Sequence, residues 1–123
     1  VKITLLSDER LRLESTPGPM TIEAASAERV YSPFHMVGSG LATCVFSVLA
    51  SWAETAGFAA DDLVIEVEWS FADKPHRIGK FMLMLRWPSL PEARRGAAVR
   101  VAALCPIHAT LHAPTGIDVE VRA

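Results

Sequence analysis

Between Pro33 and Ala53 the chain runs for 21 residues without an Asp, Glu, Lys or Arg. That length is enough to cross a bilayer or to fill the middle of a globular domain. Ser39, Thr43, Ser47 and Ser51 recur every four residues and lay a hydroxyl stripe down one helical face, and Gly38 and Gly40 add exposed backbone. These features favour a core helix over a lipid-facing one. Ser32-Pro33 is a strong start, since Ser caps a helix and Pro is favoured at its first position. The pattern predicts a helix to about Ala56, with Gly57 as its stop. Phe34, Val37, Leu41, Val45, Phe46, Val48, Leu49 and Trp52 place apolar groups nearly all the way round. Such a helix sits inside a protein or between protomers.

Strand patterns flank it. Residues 2–6 and 9–14 read as two strands joined at Ser7-Asp8, with Leu11 and Leu13 alternating against Arg10, Arg12 and Glu14. Thr16-Pro17-Gly18-Pro19 is loop, and 20–24 is a third short strand. Residues 63–72 put Leu63, Ile65, Val67, Trp69 and Phe71 on one face, and 78–87 return with Phe81, Leu83, Leu85 and Trp87. A second helix fits 91–104, with Val99, Ala102 and Ala103 inward and Arg94, Arg95 and Arg100 on a solvated face. Pro106 breaks it at Cys105, and a short helical stretch follows to about His112. Ile117, Val119 and Val121 alternate in a last strand, 117–122. The order β-β-β-α-β-β-α-β defines an α+β fold. At 123 residues, one domain over 1–123 is expected.

A hydrophobic share of 50% excludes disorder, and two cysteines do not make a secreted disulfide scaffold. A net charge of −2 gives no basic surface for nucleic acid. The opening Val-Lys-Ile-Thr-Leu-Leu meets Asp8, Glu9 and Arg10 too soon for a signal peptide. A cytoplasmic location and no membrane contact are the expectations.

The candidate chemistry lies on Cys44 and Cys105. Cys44 falls inside the long helix, where apolar surroundings raise a thiol pKa. Cys105 precedes Pro106 at a helix start, where converging N–H groups should lower it. Either could instead be inert packing. Cys105, His108 and His112 share a helical face, and Cys44 would complete a Cys₂His₂ zinc set, though no CxxC or HExxH motif supports it. His35 reads either as an exposed first-turn residue or as a pocket residue at the helix mouth. Trp52, Trp69 and Trp87 read as core.

Two segments carry a family likeness. Residues 32–44, from Ser32-Pro33 to Ala42-Thr43-Cys44, resemble the start of the long central helix of OsmC/Ohr proteins. Residues 103–111, with Cys105-Pro106-Ile107, resemble that family's second signature. The resemblance implies an intertwined α+β homodimer with two central helices back to back and sheets from both protomers around them. It implies thiol-dependent reduction of organic hydroperoxides by an external dithiol, with Cys44 peroxidatic, Cys105 resolving, and no metal or organic cofactor. Active members carry a Glu early in the helix, where this chain has Phe34 and His35. That Glu orients an Arg beside the thiolate; Arg10 is the nearest positional match, and Arg12 the other. His35 replacing the Glu is one possibility. Another is a member with weak or no peroxidase activity that binds an apolar small molecule or senses redox state.

Overall fold

The computed structural model describes residues 1–113 and 115–123. Three strands open the chain, β1 (Lys2–Ser7), β2 (Arg10–Glu14) and β3 (Thr21–Ala24). The long helix α1 (Pro33–Ala56) follows, then β4 (Val64–Ala72) and β5 (Arg77–Arg86). A 3₁₀ turn at Glu92–Arg94 leads into α2 (Arg95–Ala102), and α3 (Pro106–His112) comes last. The strands form one sheet in the order β3-β1-β2-β4-β5. β1 and β3 are parallel; the other neighbours are antiparallel.

Alternation decides what faces inward. Leu11 lies opposite Val67, Leu13 opposite Ile65, and Ile3 opposite Leu13. All are fully buried, and with Leu5 and Trp69 they make one apolar sheet face. Against it α1 lays Leu41, Ala42, Val45, Leu49 and Ala53, also buried. The opposite sheet face carries charge: Glu66 lies between Arg10 at 3.2 Å and Arg86 at 3.4 Å. Beyond the sheet, both the N–H and the Oγ of Ser89 donate to Asp62 and hold its carboxyl below the ordinary range.

The start of α1 is locked by a histidine. Ser32 Oγ accepts the His35 N–H, and the Ser32 N–H donates to His35 Nδ1 at 3.1 Å, a reciprocal capping box. With Nδ1 accepting, the ring proton sits on Nε2, which donates to the Ser7 carbonyl at 2.8 Å. The side chain ties the helix N-terminus to the β1–β2 turn and packs edge-on to Trp69. At 1% exposure it is core, not an exposed first-turn residue. The C-terminus closes on Gly57 at φ 85°, a left-handed position open to glycine.

Two expectations change. The segment 117–122 forms no strand, and Ile117, Val119 and Val121 are 83%, 86% and 96% exposed. Its alternation is real, but it pairs with neither edge strand of the sheet, β3 or β5. The helix expected at 91–104 begins as a 3₁₀ turn and buries Ala98, while Val99 points to solvent. Arg94 of that segment lies over the Phe58 ring at 5.4 Å. Within this chain α1 is buried along one stripe. It is long and apolar enough to cross a membrane, with a mean hydropathy of 1.6, and 39% of its most apolar window is buried. One sheet covers one side of a cylinder, so Met36 and Val37 remain exposed on the other.

Close approach of α1 to the sheet depends on Gly38. A Cβ there would lie 2.8 Å from the Trp69 ring and 3.2 Å from Leu11 Cδ2. Alanine gains about 1 kcal/mol in helix propensity, but overpacking costs about 1–3 kcal/mol. Gly38→Ala is therefore expected to lower stability by about 1 kcal/mol and the melting temperature by a few degrees in thermal unfolding.

Candidate functional site

Five residues of α1 at helical spacing, Phe34, Val37, Leu41, Cys44 and Val48, form a second stripe beside the buried one. This stripe carries the candidate chemistry. Cys44 is half-buried on it. His35 lies nine residues earlier, about two and a half turns, and so on the far side of the helix. Its hydrogen bonds to Ser32 and Ser7 fix it against the sheet. His35 therefore does not replace a glutamate beside Cys44.

Cys105 reaches the same region from the C-terminal helices. α2 ends at Ala102, and the Cys105 N–H donates back to the Ala102 carbonyl. Pro106 then opens α3, and Cys105 becomes its N-cap, with Sγ accepting the His108 N–H at 3.3 Å. α2 and α3 both pack on α1. This packing makes the Cys44 and Cys105 thiols neighbours. Cys105 has no solvent exposure, and both cysteines are free.

The pKa direction corrects the expectation for Cys105. Burial pushes its thiol up from the ordinary value, and the adjacent Cys44 pushes it further. The N–H groups of His108 and Ile107 pull the other way and do not prevail.

A groove of about 640 Å³ runs along this stripe. Phe34, Val37 and Leu41 of α1, Phe81 and Leu83 of β5, and Leu111 of α3 give it an apolar floor. His76, His108 and His112 border it, the last two stacked at 5.8 Å. Cys44 lies one turn beyond Leu41. Phe34 packs edge-on to Phe71 at 4.9 Å and His76 covers both rings, so an aromatic cluster fills the helix mouth.

Arg10 and Arg12 lie elsewhere. Both project from β2 on the face opposite Leu11 and Leu13, away from α1. Arg10 pairs with Glu66 and Glu68, and Arg12 with Glu14. Neither supports the Cys44 sulfur within this chain. The zinc reading also lacks its geometry: among the described residues, no three His, Cys, Asp or Glu side chains gather as a metal site.

Sequence reading missed the His35 clamp, although Ser-x-x-His matches the reciprocal cap spacing. It also missed the capping role of Cys105, for which Pro106 as the first helical residue was the signal. Trp69 Nε1 is buried and finds no hydrogen-bond partner among the described residues, and nothing in the sequence marks it.

The fold and site define a class: an α+β domain whose single long helix rests on a mixed sheet and carries one of two adjacent free cysteines. A sequence profile described as OsmC-like protein matches residues 26–120. The chain belongs to the OsmC-like family. No curated protein matches it. Among solved structures it is similar to a crystal structure from Psychrobacter arcticus 273-4, of a protein described as an osmotic stress induced and detoxification response protein. The TM-score is 0.60 at 16% identity, covering 88% of this chain and 84% of that one. At that identity the likeness establishes the fold.

Reagent access should follow burial. Iodoacetamide is expected to modify Cys44 of the reduced native protein at least about tenfold faster than Cys105, which reacts only through opening of α3. Peptide mapping against time reads this. Because the folded state holds the Cys105 proton more tightly, the unfolded chain releases it first as pH passes about 8.5. The stability this gives is full below that pH and falls as pH rises towards the folded pKa. Cys105→Ala should lose that part of the alkaline decline in melting temperature.

Proposed function

We propose that this chain is a thiol-dependent hydroperoxide reductase. One observation carries the reading: two cysteines 61 residues apart in sequence stand side by side, one half-buried and one shielded. The Cys44 thiolate attacks the distal oxygen of an organic hydroperoxide. The O–O bond breaks, the alkoxide takes a proton and leaves as alcohol, and Cys44 becomes a sulfenic acid. The Cys105 sulfur then attacks Cys44, water leaves, and a disulfide forms. An external dithiol returns both thiols and is itself oxidised to a disulfide. The apolar groove suits an alkyl chain, and detoxification is also the role assigned to the Psychrobacter arcticus protein.

The test is mass spectrometry of reduced protein before and after one equivalent of an organic hydroperoxide. A loss of two mass units with a Cys44–Cys105 peptide is expected within seconds to minutes. Cys44→Ser should abolish turnover. Cys105→Ser should consume one equivalent and then over-oxidise at Cys44.

A second reading rests on Phe34, His35, Arg10 and Arg12. With Arg10 and Arg12 paired on the other face of the sheet and an aromatic cluster at the helix mouth, the groove would bind an apolar molecule without reducing peroxide. Saturable binding that survives both cysteine substitutions, with no disulfide formed by hydroperoxide, would favour it.

The working unit in either reading is a homodimer. The uncovered side of α1 and the exposed apolar alternation at 117–122 both need a partner surface, and a second copy supplies it. Sedimentation should give twice 13.4 kDa. Deleting residues 117–123 should weaken the dimer or yield monomer.

A further inference from the structure

We infer that the groove is a site for an alkyl carboxylate, its head held at Arg77 and Lys80 and its tail running over the apolar floor toward Leu41. The inference rests on the proposed function only for the groove as the place where the ligand sits, and it names that ligand's class.

The lining of the groove is one-sided in charge. Arg77 and Lys80 of β5, His76 of the turn before it, and His108 and His112 of α3 all line it, and among the described residues no Asp or Glu does. That is a local excess in a chain of net charge −2. Elsewhere Arg10, Arg12, Arg29 and Arg86 each pair with a carboxylate. Among the described residues, Arg77 and Lys80 do not. Asp73, in the same turn, leans on His76 at 3.7 Å. Arg77 Nη1 donates to the Asp73 and Pro75 carbonyls at 2.9 and 3.0 Å, so its own turn sets the guanidinium in place while Nε and Nη2 remain free to donate. A planar fork fixed in advance suits a carboxylate and loses little freedom on binding it. None of these residues is on α1, whose outer side a second copy covers in the proposed homodimer.

The register of the sheet gives the groove a polar end and an apolar one. Phe34 meets Phe71 and His76, so the N-terminus of α1 lies at the β4–β5 turn. One turn on, Gly38 lies against Trp69, and Trp69 is opposite Phe81. Leu41 follows along the helix, and Leu83, opposite Val67, along the strand. Residues 76, 77 and 80 therefore stand at one end, with Leu41 and Leu83 further in. Phe34 and Leu41 are about 10 Å apart along the helix axis. The groove's 640 Å³ falls within the roughly 300–1,000 Å³ of small-molecule sites. A single alkyl chain fits that shape with its head among the cations. A cationic head would meet like charge there, and a neutral head would forgo the ion pair.

The test is calorimetric titration of the intact reduced protein, without peroxide, with decanoate, hexanoate, 1-decanol and decyltrimethylammonium. Decanoate is expected to bind at least about fivefold tighter than 1-decanol, with the ammonium weaker still. Each buried methylene is worth about fourfold, so hexanoate should trail decanoate by at least about thirtyfold. The double variant Arg77→Gln, Lys80→Gln changes two exposed side chains. It should remove the advantage of decanoate and leave the Kd of 1-decanol unchanged. A decanoate carrying a diazirine at its tail end should, on irradiation, label Leu41 or Leu83 and spare residues 76–80. Equal affinity for decanoate and 1-decanol, equal weakening of both in the variant, or labelling at 76–80 would overturn the inference. If decanoate binds as expected but hydroperoxide joins no Cys44–Cys105 disulfide, the peroxidase reading fails and the carboxylate site holds. If the disulfide forms and decanoate has no advantage, the carboxylate site alone fails.

Discussion

Everything in this domain hangs on how closely α1 can lie on the sheet. The contact is made by one narrow stripe, and at its N-terminal end the helix comes down almost to the Trp69 ring because Gly38 has no side chain. The His35 clamp fixes the same end from the side, bonding to Ser32 within the helix cap and to Ser7 in the first hairpin. Together they set the helix height and its rotation. Rotation matters most, since it decides which residues are left to face away. With Ala42, Val45, Leu49 and Ala53 committed to the sheet, the line through Val37 and Cys44 falls on the flank of the helix, meeting the buried stripe at Leu41.

That geometry separates polarity as well as packing. The strand alternation that brings Leu11, Leu13, Ile65 and Val67 against α1 sends Arg10, Arg12, Glu66 and Glu68 to the other face. The sheet thus stands between the charged network and both cysteines. Cys105 is left with burial, backbone N–H groups and the adjacent Cys44 as the influences on its protonation, and burial prevails. The charge that reaches the groove is carried by β5, whose Arg77 and Lys80 line it.

Much of the fold was legible because its signals are local. Ser32-Pro33 and Gly57 bracket α1 through chemistry contained in a few residues, and the alternation at 63–72 needs only a partner strand to become β4. The pairing of Cys44 with Cys105 was reached through family likeness rather than spacing, because it depends on α2 and α3 folding back on α1. The misread parts depend on tertiary context. The strand expected at 117–122 has the right alternation but pairs with neither edge strand of the sheet, β3 or β5. His35 looks like any polar residue in a first turn until the β1–β2 carbonyl that receives its proton is in place. Cys105 sits at a helix start, which argues for an acidic thiol, yet how deeply it is covered is not written in its neighbours.

The two stripes of α1 also differ in what change they can absorb. A substitution on the sheet side meets Trp69, Leu11 or the His35 clamp and is paid for in folding. A substitution at Phe34 or Val37 meets the groove and changes its shape while the core stays as it is. The groove-lining line of the helix can therefore vary without renegotiating the scaffold. The backbone itself tolerates wide change in sequence: it is shared at a TM-score of 0.60 with a chain only 16% identical.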